Sequence, residues 1–320
     1  MRLYNFAMKI ICPLLLLMLI SVNIASQTHW RQVPLDIRDD FTGLHFIDEN
    51  HGFLVTKRGM IVSVKLTDST VMVEREKYRS DLYDIYFRAG GSAGFAVGSN
   101  GKILKTHDYG QNWDSLTYDL DIRFTHLAFS DSLNGYLVGA GYGKNTTDSG
   151  VVLKTTDGGE TWVLEGTMGR KMKYVDISPQ NIIMLVGYGM IFTSSDNGLN
   201  WDTAALKTGK LPMAGAIRDN NGIIVGSSGL LALSSDRGRS WEMSEILSDT
   251  ASFFDVLMLD SKRAYIVGSG GEILYTDDAG RNWIPEASAT GSILYAIHRV
   301  GQRVFVCGQH GALIYTDLKK

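Results

Sequence analysis

The chain has 320 residues, of which 44% are hydrophobic and 20% charged, and its net charge is −3 at pH 7. This charge argues against a nucleic-acid partner, because nucleic-acid-binding domains carry clustered positive charge. Of the two cysteines only Cys307 lies outside the N-terminal apolar segment, so we expect no internal disulfide and a fold held by its hydrophobic core.

The first 26 residues have the build of a secretory signal. Arg2 and Lys9 come first, an apolar run follows over residues 10–20, and small residues precede Ser26. The run is too short to span a bilayer comfortably. We therefore expect cleavage after Ser26, an exported domain over residues 27–320, and no transmembrane segment after signal removal.

Five later segments share the pattern [ST]-x-D-x-G-x-x-W, the clearest being TTDGGETW. The pattern resembles the Asp-box, or BNR repeat, of sialidases, sortilin-type receptors and several glycosidases. Its Asp can accept backbone N–H bonds within a tight turn, its Gly can take a positive φ, and its Trp can pack beneath the turn. We predict structural roles for the box residues, with catalysis or calcium binding by the aspartates as the alternative. These residues are Asp108, Gly110, Trp113, Asp157, Gly159, Trp162, Asp196, Gly198, Trp201, Asp236, Gly238, Trp241, Asp278, Gly280 and Trp283.

A second repeated element lies upstream of each box and reads as strand, Gly-containing turn, strand. It occurs seven times, from FLVTKRGMIV at the first copy to FVCGQHGALI at the last. Each copy is preceded by another apolar run, and each box is followed by a strand that starts at Trp. Seven units of four strands predict an all-β fold, a single seven-bladed β-propeller.

The two ends of the chain are predicted to complete one blade together. The seventh unit stops at IYTDLKK, where its own box and fourth strand should follow. HWRQV, starting at His29, matches the fourth-strand starts NWDSL and TWVLE. We therefore predict that residues 29–35 pair with the last blade and close the ring, which removes exposed sheet edges.

The combination of Val-Gly-x-x-G, a strand and T-x-D-G-G-x-T-W behind a signal peptide resembles the photosystem II stability/assembly factor family of plant and cyanobacterial lumenal propellers. The resemblance implies a non-enzymatic, exported protein, periplasmic or secreted, that binds other proteins as an assembly aid. No cofactor is expected. The expected partner is another envelope or extracellular protein, with a glycan as a further option, and the chain is expected to be a monomer.

A ligand is expected on the face that carries the connections between blades and the turns between second and third strands. Basic residues concentrate there in the first, third and fourth blades, while Glu242, Glu245, Asp249 and Glu286 follow the fifth and sixth. We interpret the basic set as a surface for an acidic partner or anionic glycan; the alternative is that solvent-exposed loops are simply charged. The candidate binding residues are Lys57, Arg58, Arg75, Lys77, Arg79, Tyr142, Lys144, Arg170, Lys171, Tyr188 and His310, with Lys173 beside them.

Enzymatic alternatives rest on the Asp-box. A sialidase would need an Arg motif resembling Phe-Arg-Ile-Pro, and Phe87-Arg88 is followed here by Ala-Gly. The histidines are scattered without metal-ligand spacing, so we predict no metal site. A carbohydrate-active enzyme or glycan-binding protein, sialidase-like or another glycoside hydrolase, stays the alternative function; two carboxyl groups roughly 5 to 10 Å apart in a ligand-face pocket would favour it.

Overall fold

The computed structural model describes residues 29–67, 71–117, 121–141, 149–244 and 250–318. They form seven four-stranded antiparallel sheets, the blades of the β-propeller that the repeats predict. The predicted signal and its cleavage site lie outside the described residues. No helix within the described part of the chain is both long and apolar enough to cross a bilayer.

Blades 1 to 6 are each built from four strands that are consecutive in the chain, whereas blade 7 takes its outer strand from the N-terminal segment; the strands of each blade are given from the channel outward. The inner strands of blades 1 to 7 are β2 (Phe41–Phe46), β6 (Leu82–Phe87), β10 (Ile122–Phe129), β14 (Met172–Ile177), β18 (Pro212–Arg218), β22 (Phe253–Met258) and β26 (Leu294–Val300). The second strands are β3 (His51–Thr56), β7 (Gly94–Gly98), β11 (Gly135–Gly141), β15 (Ile183–Gly187), β19 (Asn221–Gly226), β23 (Ala264–Gly268) and β27 (Arg303–Gly308).

The two outer positions of each blade follow the same order. The third strands are β4 (Met60–Leu66), β8 (Lys102–Thr106), β12 (Gly150–Thr155), β16 (Met190–Ser194), β20 (Leu231–Ser234), β24 (Ile273–Thr276) and β28 (Leu313–Asp317). The outer strands are β5 (Val71–Lys77), β9 (Asp114–Thr117), β13 (Val163–Met168), β17 (Asp202–Ala205), β21 (Glu242–Ser244), β25 (Ile284–Glu286) and, in blade 7, β1 (Arg31–Gln32). Three 3-10 turns join second and third strands at Ser227–Gly229, Ser269–Gly271 and Gln309–Gly311.

The core lies between neighbouring blades. Second strands such as β7 are buried along their whole length, because both of their faces meet apolar side chains. Phe95 and Val97 of blade 2 pack with Phe124 and Leu127 of blade 3 in one such cluster. Cys307 is a free, fully buried thiol in the cluster between blades 7 and 1.

The box turns share one hydrogen-bond pattern, shown here by blade 3. The Asp157 carboxylate accepts bonds from the Thr161 amide at 2.9 Å and from the Thr155 hydroxyl at 2.8 Å. Gly159 has a φ of +81°, and a Cβ there would stand 2.4 Å from the Phe95 ring. The bonds from Thr161 lower the pKa of Asp157 to about 2. This aspartate therefore organises its own turn.

Trp30 occupies in blade 7 the place that box tryptophans occupy in other blades. Trp162 packs edge-on against Phe95 of the preceding blade, with ring centroids 6.2 Å apart, and Trp30 packs edge-on against Tyr265 at 5.8 Å. β1 pairs with β28, and the Val33 amide adds a bond to the Leu313 carbonyl at 2.8 Å. The N-terminal segment thus supplies the outer strand of the last blade, over a shorter stretch than residues 29–35.

Candidate functional site

The inner strands line a central channel, and each carries a β-bulge at the same place. The bulge shifts the register between Leu82 and Asp84 in β6 and between Phe253 and Asp255 in β22. The residue that follows the bulge is therefore equivalent in all blades and forms one ring of side chains around the channel. This central ring consists of Gly43, Asp84, His126, Tyr174, Ala214, Asp255 and Ala296.

Polar side chains of the central ring contact one another across blade boundaries. His126 Nε2 lies 3.5 Å from the Asp84 carboxylate, and the His126 ring stacks on Tyr174 with centroids 3.8 Å apart. The Tyr174 hydroxyl donates to Asp255 Oδ1 at 2.9 Å. This bond joins blade 4 to blade 6, because blade 5 has only the methyl group of Ala214 at this level.

The channel carboxylates also bind the backbone of the next blade. Asp84 Oδ2 accepts the Leu127 amide of blade 3 at 3.0 Å, and Asp255 Oδ2 accepts the Ile297 amide of blade 7 at 2.9 Å. Asp176, two residues after the central ring, accepts the Ile217 amide of blade 5 at 3.2 Å and also pairs with Arg218 at 2.8 Å. These carboxylates connect neighbouring inner strands.

Two histidines complete the connection between the last and first blades. His298 Nδ1 accepts the Phe46 amide at 3.3 Å, and the His298 ring stacks on His45 with centroids 4.3 Å apart. Burial lowers the pKa of His298 to about 4, so the ring is neutral at pH 7. Because Nδ1 accepts a hydrogen bond, the neutral ring carries its proton on Nε2.

Burial shifts the pKa values of the central ring in opposite directions for acids and bases. Burial raises the pKa of Asp84 to about 8 and that of Asp255 to about 7. Burial, and then the positive charge of Lys173, lower the pKa of His126 to about 3. At neutral pH the folded protein therefore holds protons on carboxyl groups that would be ionised in the unfolded chain.

This protonation predicts that stability falls as pH rises from about 7.5 to 8.5, where the buried carboxyls lose protons and the unfolded histidines, with an ordinary pKa of about 6.5, are already almost fully neutral. Asp84→Asn should make that fall smaller, since Asn cannot ionise. Urea unfolding at several pH values measures it. Asp202→Asn, at an exposed carboxylate, is the control and should keep the wild-type slope. A wild-type stability that rises over this range would contradict the prediction.

The channel opens on one face into a cavity of about 660 Å³, a size typical of ligand pockets. One side of its mouth carries Arg123, Lys171 and Lys173, which we call the basic arc. Burial, and then repulsion from Arg123, lower the pKa of Lys173. Positive charge is thus concentrated on blades 3 and 4, where an anionic group would relieve the repulsion.

The candidate binding residues predicted from the sequence lie in different places in the structure. Lys57, Lys171 and Tyr188 line the channel cavity. Arg58, Lys77 and Arg79 instead line a separate open depression beside blade 1.

The remaining candidates lie apart from the cavity or outside the described residues. The sequence places Arg75 and Lys77 in a connection, but both lie in β5, which lacks a box and pairs with the whole length of β4. Arg170 is exposed and does not line the cavity, while the His310 amide donates to Asp40 at the rim. Tyr142 and Lys144, and the acidic Glu245 and Asp249, lie outside the described residues.

Glu286 has a different role from the acidic surface that the sequence suggests. Its carboxylate accepts the indole N–H of Trp30 at 2.7 Å, so it helps to close the ring.

Sequence reasoning did not identify Arg123 or the central ring. The only signal was that runs such as YDIYF and FDVLML, otherwise apolar, each contain one acidic residue, Asp84 and Asp255. A buried carboxylate in an inner strand requires partners, and the backbone of the next blade supplies them.

The channel carboxylates bear on the glycosidase alternative. A glycosidase needs one carboxyl to donate a proton and another to attack or to activate water. The two oxygens of Asp255 already accept bonds from Tyr174 and from the amides of Val256 and Ile297. This arrangement favours a structural role. Among the described residues, no group of three or more His, Cys, Asp or Glu could hold a metal ion.

Comparison with known proteins finds similarity to assembly factors. The family described as "Photosynthesis system II assembly factor YCF48" matches residues 65–222. A "Photosystem II assembly lipoprotein Ycf48" of Synechococcus sp. (strain CC9902) is 25% identical over 309 residues, covering 77% of this chain and 87% of the relative.

Solved structures show the same architecture. "YCF48 bound to D1 peptide" superposes with a TM-score of 0.72 at 20% identity, over 91% of this chain and 95% of the other. "YCF48 from Cyanidioschyzon merolae" gives 0.70 at 20% identity, over 90% and 98%. The repeats, the seven blades and the family match agree. These findings support a photosystem II assembly factor-like propeller family, to which this chain is similar in sequence and in fold.

Proposed function

We propose that this exported propeller is a non-enzymatic assembly factor that binds an acidic segment of a partner protein at the mouth of its channel. The observation that carries the proposal is the basic arc beside a 660 Å³ cavity. The lowered pKa of Lys173 supports it, since a bound carboxylate would offset the repulsion between this ammonium and Arg123.

The relatives support a protein as the ligand. The Synechococcus protein is named an assembly lipoprotein, and one solved relative is described as bound to a D1 peptide. We extend the class of ligand, a polypeptide segment, to this chain. Neither the relatives nor the channel geometry supports a glycan.

Site-specific photocrosslinking in the native envelope tests the proposal. A photoreactive residue at Tyr188, which lines the mouth, should give a discrete protein adduct. The same residue at Ile284, exposed on outer strand β25 of blade 6, should not. Lys171→Glu should abolish the adduct, because it reverses a charge inside the cavity.

Arg170→Glu is the matched control, since it makes the same charge change at the adjacent exposed residue outside the cavity. It should leave the Tyr188 adduct unchanged. Equal adducts at Tyr188 and Ile284, or loss of the adduct in both charge variants, would count against a site at the channel mouth.

We further propose that the signal is cut after Ser26 and that the mature protein acts as a monomer in the periplasm or outside the cell. The apolar run of the signal supports export, and the closed ring supports a monomer, since the N-terminal strand covers the edge of the last blade. Mass spectrometry of the protein purified from its host would test the cleavage site.

A further inference from the structure

The wall of the channel mouth that faces the basic arc is apolar. One residue before the central ring, blades 5, 6 and 7 present Met213, Phe254 and Tyr295, which we call the apolar arc. Phe254 and Tyr295 pack edge to face with ring centroids 5.3 Å apart. All three side chains line the cavity and are only half-buried.

The position three residues before the central ring, which we call the higher level, also differs between the two sets of blades. Three residues before the central ring, blades 1 to 4 carry charged residues and blades 5 to 7 do not. The residues at this level are Asp40, Asp81, Arg123, Lys171, Leu211, Ser252 and Ile293. Leu211 is a large apolar side chain that is 42% exposed. The large apolar side chains of the mouth thus lie on blades 5 to 7 at the lower level, and its charged residues lie on blades 1 to 4 at the higher level.

A small residue deepens the apolar arc. The central ring has Ala296 in blade 7, next to Tyr295, and both residues line the cavity. A large side chain that packs against the Phe254–Tyr295 pair therefore has space beside it, within the 660 Å³ cavity.

The geometry points to a ligand with an acidic residue directly followed or preceded by a large apolar residue, and we propose this pair as the recognised element. In a seven-membered ring, blade 3 faces the gap between blades 6 and 7, so Arg123 lies opposite Phe254 and Tyr295. Successive side chains of an extended segment point to opposite sides. An adjacent acidic–apolar pair would thus contact both walls at once, whereas residues two apart would point to the same wall.

This inference rests on the proposed function and adds a requirement to it. The test is a display library of short random peptides, selected on the full-length mature protein and counter-selected on Lys171→Glu. We expect enrichment of Asp or Glu immediately next to Phe, Tyr, Leu or Met. Enriched peptides that are acidic without an adjacent apolar residue would overturn the inference and leave the proposed function standing. Absence of any acidic enrichment would overturn both.

Titration of one selected peptide completes the test. Phe254→Ala should weaken its binding about tenfold, the loss expected for removing one buried aromatic contact. Phe254→Leu should retain most of the affinity, and both variants should unfold at the wild-type temperature. The same peptide with one Gly placed between the acidic and apolar residues should bind wild-type protein about tenfold more weakly than the selected peptide. Equal affinity of the two peptides would refute the adjacent pair.

Discussion

Trp30→Ala should lower the free energy of unfolding by about 3 to 5 kcal/mol, the range typical of removing a buried Trp side chain. Trp30 is 2% exposed, packs against Tyr265 and donates its indole N–H to Glu286. The variant would leave a cavity between blades 6 and 7 and an unpaired Glu286 carboxylate. It would also loosen β1, which makes only two paired positions with β28.

Equilibrium unfolding in urea measures this loss, and hydrogen exchange shows where it acts. Amides of β28 should exchange faster in Trp30→Ala, because β1 covers the edge of that strand. The matched control is Arg31→Ala, on the same strand, whose exposed side chain pairs with Asp317 at 3.6 Å. That variant should lose less than about 1 kcal/mol. A similarly small loss in Trp30→Ala would show that the ring does not depend on this closure.

The fold follows from the sequence because its determinants repeat at short range. Each box is a local turn whose Asp, Gly and Trp act within eight consecutive residues, so its pattern is visible without knowing the fold. The ring closure was predictable because the seventh unit lacks its fourth strand and the segment that begins at His29 resembles a fourth strand, so the two can pair. Trp30 was therefore predictable, although the two ends of the chain are almost 300 residues apart.

The channel could not be predicted in the same way. Asp84, His126 and Tyr174 share a level only because every inner strand has a bulge at the same place, and a bulge leaves no distinct residue pattern here. The sequence suggested loops as the site of positive charge, yet Lys173 lies within inner strand β14. Arg123 likewise lies in β10, where a charged residue beside Ile122 and Phe124 did not suggest a ligand surface.

Asp255→Ala should be the most destabilising substitution in the channel, with a loss of about 4 kcal/mol. The carboxyl accepts bonds from the Tyr174 hydroxyl and from the amides of Val256 and Ile297, at 2.8 to 2.9 Å. Each buried donor left without an acceptor costs about 1 to 3 kcal/mol. Two of these bonds cross blade boundaries, so their loss weakens blade 6 against both blade 4 and blade 7.

Tyr174→Phe separates the contribution of the hydroxyl from that of the two amides. It removes one donor and leaves the backbone bonds to Asp255 intact, so it should cost only about 1 to 2 kcal/mol. In Asp255→Ala the further substitution Tyr174→Phe should then cost almost nothing, because the hydroxyl has already lost its acceptor. Additive losses in this double-mutant cycle would show that the bond between blades 4 and 6 contributes no stability of its own. A coupling of about 1 kcal/mol or more would show instead that the ring is held by side chains reaching across the channel as well as by packing between neighbouring blades.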